Sequence, residues 1–137
     1  MSALSRTVEH VGEWRVELRA GTVAEIFQEL ARVIARVAGA SSGSHGSWED
    51  LEVEARDGEG LLVDYANELV SRSEIERRAY DEVRDIVIHE DGRSRIHARL
   101  RGRPVKSWRS PLKAATYHGA RLSQEGEDWR ASILFDV

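Results

Sequence analysis

The chain has 137 residues, 41% of them hydrophobic and 32% charged, with a formal net charge of −4. That suits one soluble domain over 1–137 and leaves no room for two of ordinary size; a chain of this length can bury roughly two thirds of its unfolded surface without a covalent staple. The absence of cysteine excludes disulfides, thiolate zinc sites and cysteine nucleophiles. No apolar run approaches the roughly 20 residues of a membrane span, and Met1 to Val8 lacks the apolar block of a secretory signal. The expectation is therefore a cytoplasmic single domain.

The first regular pattern is Trp14, Val16, Leu18 and Ala20 alternating with Arg15, Glu17 and Arg19. Period two predicts a strand with one buried face. Thr22 and Glu25 have capping-box spacing, and Val23, Ile26, Phe27, Leu30, Val33, Ile34 and Val37 follow at helical steps, so a helix starts there, with Gly39 as its stop. Residues 39–47 are rich in Gly and Ser and predict a loop, with His45 solvated in it. A strand around Leu51 and Val53 comes next. Asp57, Gly58 and Gly60 then turn into a second helix, whose stripe is Leu61, Leu62, Tyr65, Ala66 and Leu69.

The segment 72–83 is charged and carries no clear period. Ile86, Val87 and Ile88 predict a mostly buried strand, and Asp91–Gly92 is a hairpin turn signal. On the return strand Arg93, Arg95, His97, Arg99 and Arg101 share one face, and Ile96, Ala98 and Leu100 the other. Gly102 and Pro104 are read as its end. Leu112 to Leu122 and Trp129 to Val137 read as two more strands, with Gly126 in the turn between them. The order is β, α, β, α and then a run of β. It predicts an α+β two-layer domain, two helices packed on an antiparallel sheet.

Charge is unevenly spread. From Gly92 to Gln124 there is no Asp or Glu but nine Lys or Arg, so the rest of the chain is strongly acidic. The ribbon Arg93, Arg95, Arg99 and Arg101 is a candidate surface for phosphate, nucleic acid or an acidic protein; a solvated strand face explains it equally well. Only Trp108 and Tyr117 lie in this block, which is thin for base stacking. No phosphate-binding glycine loop and no nucleophile elbow is present.

His10 and Glu13 have the spacing of half a metal motif. Asp136 lies on the outward face of the last strand, and Glu13 immediately precedes the first. If those strands are neighbours, two carboxylates meet and suit a hard cation such as Ca²⁺ or Mg²⁺. Lys113, Thr116, Tyr117 and His118 crowd one strand, and Lys113 could offer a point charge to a phosphate or carboxylate.

These motifs together resemble the archease family. Lys113 to Gly119 (KAATYHG) is similar to the family's Lys-Ala-x-Thr-Tyr-His segment, and Trp129 to Val137 (WRASILFDV) to its ending with a penultimate Asp. Leu61 to Val70 (LLVDYANELV) resembles its Leu-Leu-Val-Asp helix, and Thr22 to Phe27 its TxxExF. The resemblance spans nearly the whole chain. It implies an archease-like fold and a protein without catalysis of its own. Such a protein activates a GTP-dependent RNA ligase of the RtcB type in tRNA splicing or RNA repair, by promoting guanylylation of the ligase and its multiple turnover. It implies a divalent metal (Ca²⁺, Mg²⁺ or Mn²⁺) on Glu13 and Asp136 and an activating role for Lys113, with His10, Asp64 and His118 in matching motifs. The family usually reads Glu-His-Thr-Ala-Asp-Val where this chain has Glu9–Trp14, so Glu13 stands in the place of an Asp. Two other readings accompany it: a phosphate or nucleic-acid module using the 93–109 ribbon, and a metal-free archease-like scaffold.

Overall fold

The computed structural model describes residues 3–137. The elements are β1 (Leu4–His10), β2 (Glu13–Ala20), α1 (Val23–Ala38), β3 (Gly39–Ser41), β4 (Glu49–Ala55), α2 (Gly58–Glu76), β5 (Arg78–Glu90), β6 (Ser94–Trp108), β7 (Ala114–Glu125) and β8 (Asp128–Asp136). Every strand pairing is antiparallel. The α+β class holds, but the strands divide into two sheets rather than one. The first runs β1-β2-β8-β7; in the second, β6 is flanked by β5 on one side and by β4 and β3 on the other.

The two central strands of the first sheet, β2 and β8, obey the alternation of their sequences. Val16, Leu18, Ala20, Ala131, Ile133 and Phe135 are buried, while Glu13, Arg15, Glu17 and Arg19 stand on the opposite face. Both helices pack against both sheets, and one core joins all four: Phe27 and Leu30 of α1, Leu62 and Tyr65 of α2, Ile133 and Phe135 of β8, and Ile96 and Leu100 of β6. Phe27 and Tyr65 meet edge to face, and the Tyr65 hydroxyl donates to the Phe27 carbonyl at 2.8 Å. Full burial of an aromatic side chain such as Phe135 contributes about 1.5–3 kcal/mol.

The first helix starts at its predicted cap, and Asp57, predicted in a turn, caps the second. Thr22 Oγ1 accepts from the Glu25 amide at 3.2 Å, and Asp57 Oδ1 from the Gly60 amide at 2.8 Å, each satisfying an otherwise orphan donor. The charged segment that lacked a period divides cleanly: α2 continues to Glu76, Arg77 ends it in the left-handed region with φ 53°, and β5 begins at Arg78.

One strand was not predicted, and four expectations are corrected. β1, for which the sequence gives no element, carries no hydrophobic alternation because it is a sheet edge with most residues exposed. In β5, Val87 is exposed while Ile86 and Ile88 are half-buried, so that strand has one core face rather than two. β6 does not end at Gly102 and Pro104; it runs on to Trp108. A Cβ at Gly102 would lie 2.6 Å from the Ala79 carbonyl oxygen, so this glycine permits a close strand approach rather than a stop. Pro104, lacking an amide hydrogen, still accepts from the Ser42 amide at 2.9 Å. Gly39–Ser41, expected in the loop, is the short strand β3 against β6. His45 is not solvated; its Nε2 lies 2.8 Å from Asp81 Oδ1, and its side chain is only 12% exposed.

Candidate functional site

Strand register builds the site. β1 and β2 form a hairpin through Val11 and Gly12, and Gly12 has a φ of +80° that an L side chain rarely adopts. The hairpin sets His10 opposite Glu13. Across the next strand boundary Glu13 stands directly opposite Asp136, and Asp136 opposite Ala114. The outer face of the first sheet thus ends in a rung that reads His10, Glu13, Asp136, Ala114. Directly opposed residues have Cβ atoms about 4.5–5.5 Å apart and point to the same face. The register therefore sets Glu13 and Asp136 side by side on one face, where alternation along the sequence could only allow it.

Backbone bonds hold the same corner together. The Lys113 amide donates to the Asp136 carbonyl at 2.9 Å, and the Val137 amide to the Gly12 carbonyl at 3.2 Å. Glu13, Asp136, Lys113 and His10 are all exposed. Among the described residues no ion pair involves Glu13, Asp136 or Lys113, although Arg15 and Arg19 on the same strand are paired with Glu17 and Asp128. Like charges placed directly opposite on neighbouring strands destabilise a sheet. Glu13 and Asp136 incur that cost with no ion pair among the described residues to relieve it.

Two side chains that the sequence reading left without a role shape this corner. Asn67 of α2 reaches the free edge of β7: its Oδ1 accepts from the Ala115 amide at 2.7 Å, and its Nδ2 donates to the Ala115 carbonyl at 3.1 Å. The amide takes the place of a missing strand and fixes β7 two residues from Lys113. Tyr117, 63% exposed, donates its hydroxyl to Asp64 Oδ1. That hydrogen bond raises the Tyr117 pKa above the usual phenol value, with a smaller contribution from desolvation. Asp64 and Tyr117 line a separate cleft of about 340 Å³ beside the α2 N-terminus, with Arg56, Asp57 and Gly60. Both contacts join the helix segment Leu61–Val70 to the strand segment Lys113–Gly119. Each segment was recognisable in the sequence; their contact was not.

Among the described residues no three His, Asp or Glu side chains cluster as a metal-binding group. Asp64 therefore stays in its own cleft, apart from the Glu13–Asp136 pair. His118 is exposed in the β7 irregularity between Thr116 and Arg121.

The basic ribbon lies on the second sheet, and its charge is answered by its neighbours. β4 sets Asp50 opposite Arg99, Glu52 opposite His97 and Glu54 opposite Arg95, while β5 sets Glu82 opposite Arg101. Arg93 pairs with Glu54 at 2.6 Å, Arg95 with Asp91 at 3.2 Å, Arg99 with Asp50 at 3.7 Å and Arg101 with Glu82 at 2.8 Å. Arg101 also lies over the Trp48 ring, 4.5 Å from its centroid, with Arg84 at 3.8 Å. The Arg101 guanidinium holds the Glu82 carboxyl below its usual pKa. The ribbon is laid out as the alternation predicts, yet little of its charge is left for a phosphate.

Fold and site together define a small α+β domain that presents its titratable groups on an open sheet face rather than in an enclosed pocket. The family described as the Archease protein family matches residues 6–137, and the chain belongs to it. The chain is similar to protein archease of Pyrobaculum neutrophilum, 27% identical over 135 residues that cover 94% of this chain and 92% of that one. Protein archease of Methanosarcina barkeri is 24% identical over 136 residues, covering 95% and 93%. The fold matches the solution structure of a Methanobacterium thermoautotrophicum protein with a TM-score of 0.78 at 18% identity, covering 97% of this chain and 98% of that one. It also matches the crystal structure of a Thermotoga maritima archease described as a possible chaperone, with a TM-score of 0.63 at 15% identity and 98% coverage of both chains. No described helix is long and apolar enough to cross a membrane.

Proposed function

We propose that this archease is a cytoplasmic, non-enzymatic activator of an RNA ligase of the RtcB type, acting in tRNA splicing or RNA repair through the corner formed by Glu13, Asp136 and Lys113. The observation that carries the reading is the exposed rung on which Glu13 faces Asp136, neither of them in an ion pair among the described residues. An opposed carboxylate pair is a cost to the fold that a bound cation would relieve.

The donor set fits a hard divalent ion. Mg²⁺ keeps several waters and binds through one or two carboxylates plus substrate phosphates, whereas a closed Ca²⁺ cage needs six or more oxygens. Glu13 and Asp136 would hold the ion by one carboxylate each and leave the rest of its shell open. Glu in place of Asp adds one methylene, about 1.5 Å of reach, and an open two-ligand site tolerates that better than a closed cage. The bound ion would supply neutralisation of charge developing on nucleotide phosphates.

The chain's own residues divide the remaining work. Lys113 offers an ammonium point charge to a phosphate or to an acidic ligase side chain. Its backbone amide donates to the Asp136 carbonyl, so Lys113 sits beside the end of the carboxylate rung. Asn67 holds the β7 edge from behind. The test is guanylylation of the cognate ligase with GTP and Mn²⁺, with this protein present in substoichiometric amount. Faster guanylylation, lost in Asp136→Ala and Lys113→Ala, is the expected result. Undiminished stimulation by both variants contradicts it.

A further inference from the structure

The outer face of the first sheet changes character away from the carboxylate rung. The next rungs read Val8, Arg15, Leu134, Thr116; then Arg6, Glu17, Ser132, Arg121; then Leu4, Arg19, Arg130, Ser123. Five arginines therefore stand on one face, on rungs about 6.6 Å apart (two residues at 3.3 Å). Glu17 is shared by Arg6 at 2.9 Å and Arg15 at 3.1 Å. Arg19 pairs with Asp128 and Arg130 with Glu125. Arg121 is exposed and has no acidic partner among the described residues; its only hydrogen bond is to the neighbouring Ala120 carbonyl. The face carries more cations than it neutralises, the reverse of the ribbon on the second sheet. A groove of about 390 Å³ runs over it, lined by Arg15, Glu17, Arg121, Ser123, Arg130 and Ser132 among others.

We infer that this groove binds the phosphodiester backbone of single-stranded RNA without reading its sequence. Guanidinium groups match phosphate oxygens by paired hydrogen bonds. Serine and threonine hydroxyls on the same rungs are further phosphate donors. The rungs carry no aromatic side chain, so nothing there stacks on a base. The same lack argues against an acidic protein as occupant, since protein interfaces centre on large apolar or aromatic anchors ringed by polar residues. The rung-to-rung step is comparable with the step between successive phosphates of an extended strand. Glu17 and Glu125 keep the groove from being uniformly basic, so binding is modest and steeply salt-dependent.

The site is separate from the Glu13–Asp136 rung, and its test needs no ligase. Fluorescence anisotropy with a short fluorescein-labelled oligouridylate is measured on the isolated protein at low and raised salt. Wild-type protein binds at low salt. Arg121→Ala weakens binding severalfold, and Arg15→Ala with Arg121→Ala by about tenfold or more, while the salt slope falls by about one unit per arginine removed. Arg95→Ala with Arg99→Ala, on the second sheet, leaves binding unchanged. The inference is overturned if wild-type protein does not bind, if the second-sheet variant loses as much as the first-sheet variant, or if polyglutamate displaces the RNA as well as unlabelled oligouridylate does. None of these outcomes bears on ligase activation, which the guanylylation assay reads through Asp136 and Lys113.

Discussion

The outer faces of the two sheets carry charge in opposite ways. On the second sheet the ribbon stands opposite acids, Asp50 with Arg99, Glu54 with Arg95 and Glu82 with Arg101, although Arg84 of β5 faces Arg99 from its other side. On the first, Glu13 stands opposite Asp136 and Arg19 opposite Arg130. Seen in sequence, the 93–101 ribbon is the conspicuous feature and Glu13 is one acid among 24 Asp and Glu. Cross-strand register reverses that order of interest. A charge that the fold pairs is structural, whereas Glu13 and Asp136, set opposite one another and in no ion pair among the described residues, are available to something outside the chain.

The largest expected effect comes from loosening the strand that sets the register. Phe135 is fully buried next to Asp136. Phe135→Ala should destabilise the protein by about 3–5 kcal/mol, measured by urea unfolding, and should weaken every property of the rung. Asn67→Ala is next. It strips the Ala115 amide and carbonyl of their partners at the β7 edge and should cost about 1–3 kcal/mol. The β7 amides near Lys113 should then exchange hydrogen faster while those of β2 do not.

Smaller changes sharpen the contrast between the faces. In the presence of a chelator, Asp136→Asn removes a like-charge opposition and should stabilise the protein by about 0.2–1 kcal/mol. Arg95→Glu creates such an opposition with Glu54 on the second sheet and should destabilise it by a similar amount. A loss of stability in the first variant or a gain in the second would break the comparison.

The smallest effect is spectroscopic. Burial raises the pKa of Tyr65 and Tyr80, and the bond to Asp64 raises that of Tyr117, so no tyrosine of the folded protein should ionise at the usual value of about 10. Asp64→Ala should move one phenol down toward that value in an absorbance titration. Because the folded pKa of Tyr117 is raised, its bond to Asp64 contributes stability at pH below the unfolded value, and that contribution is lost as pH rises through the folded one.

Much of the fold was legible in the sequence because it rests on local periodicity. The Trp14–Ala20 alternation, the Thr22 cap with its helix and the Asp91–Gly92 turn all reappear as β2, α1 and the β5–β6 connection. What was not legible depends on neighbours far along the chain. β1 is an edge strand with little to bury, and β6 passes Gly102 and Pro104 because β3 and β5 flank it there. For the site, the residues could be named but not their pairing. Glu13 opposite Asp136, Asn67 on Ala115 and Tyr117 on Asp64 are contacts between distant segments, and so are the acids of β4 that neutralise the ribbon.

The most direct test of the carboxylate rung is Mn²⁺ binding, followed by the electron paramagnetic resonance signal of the free ion. Wild-type protein should deplete that signal, and Asp136→Asn should leave it at the level of buffer alone. Equal depletion by both proteins would place any metal elsewhere and contradict the account of the Glu13–Asp136 rung.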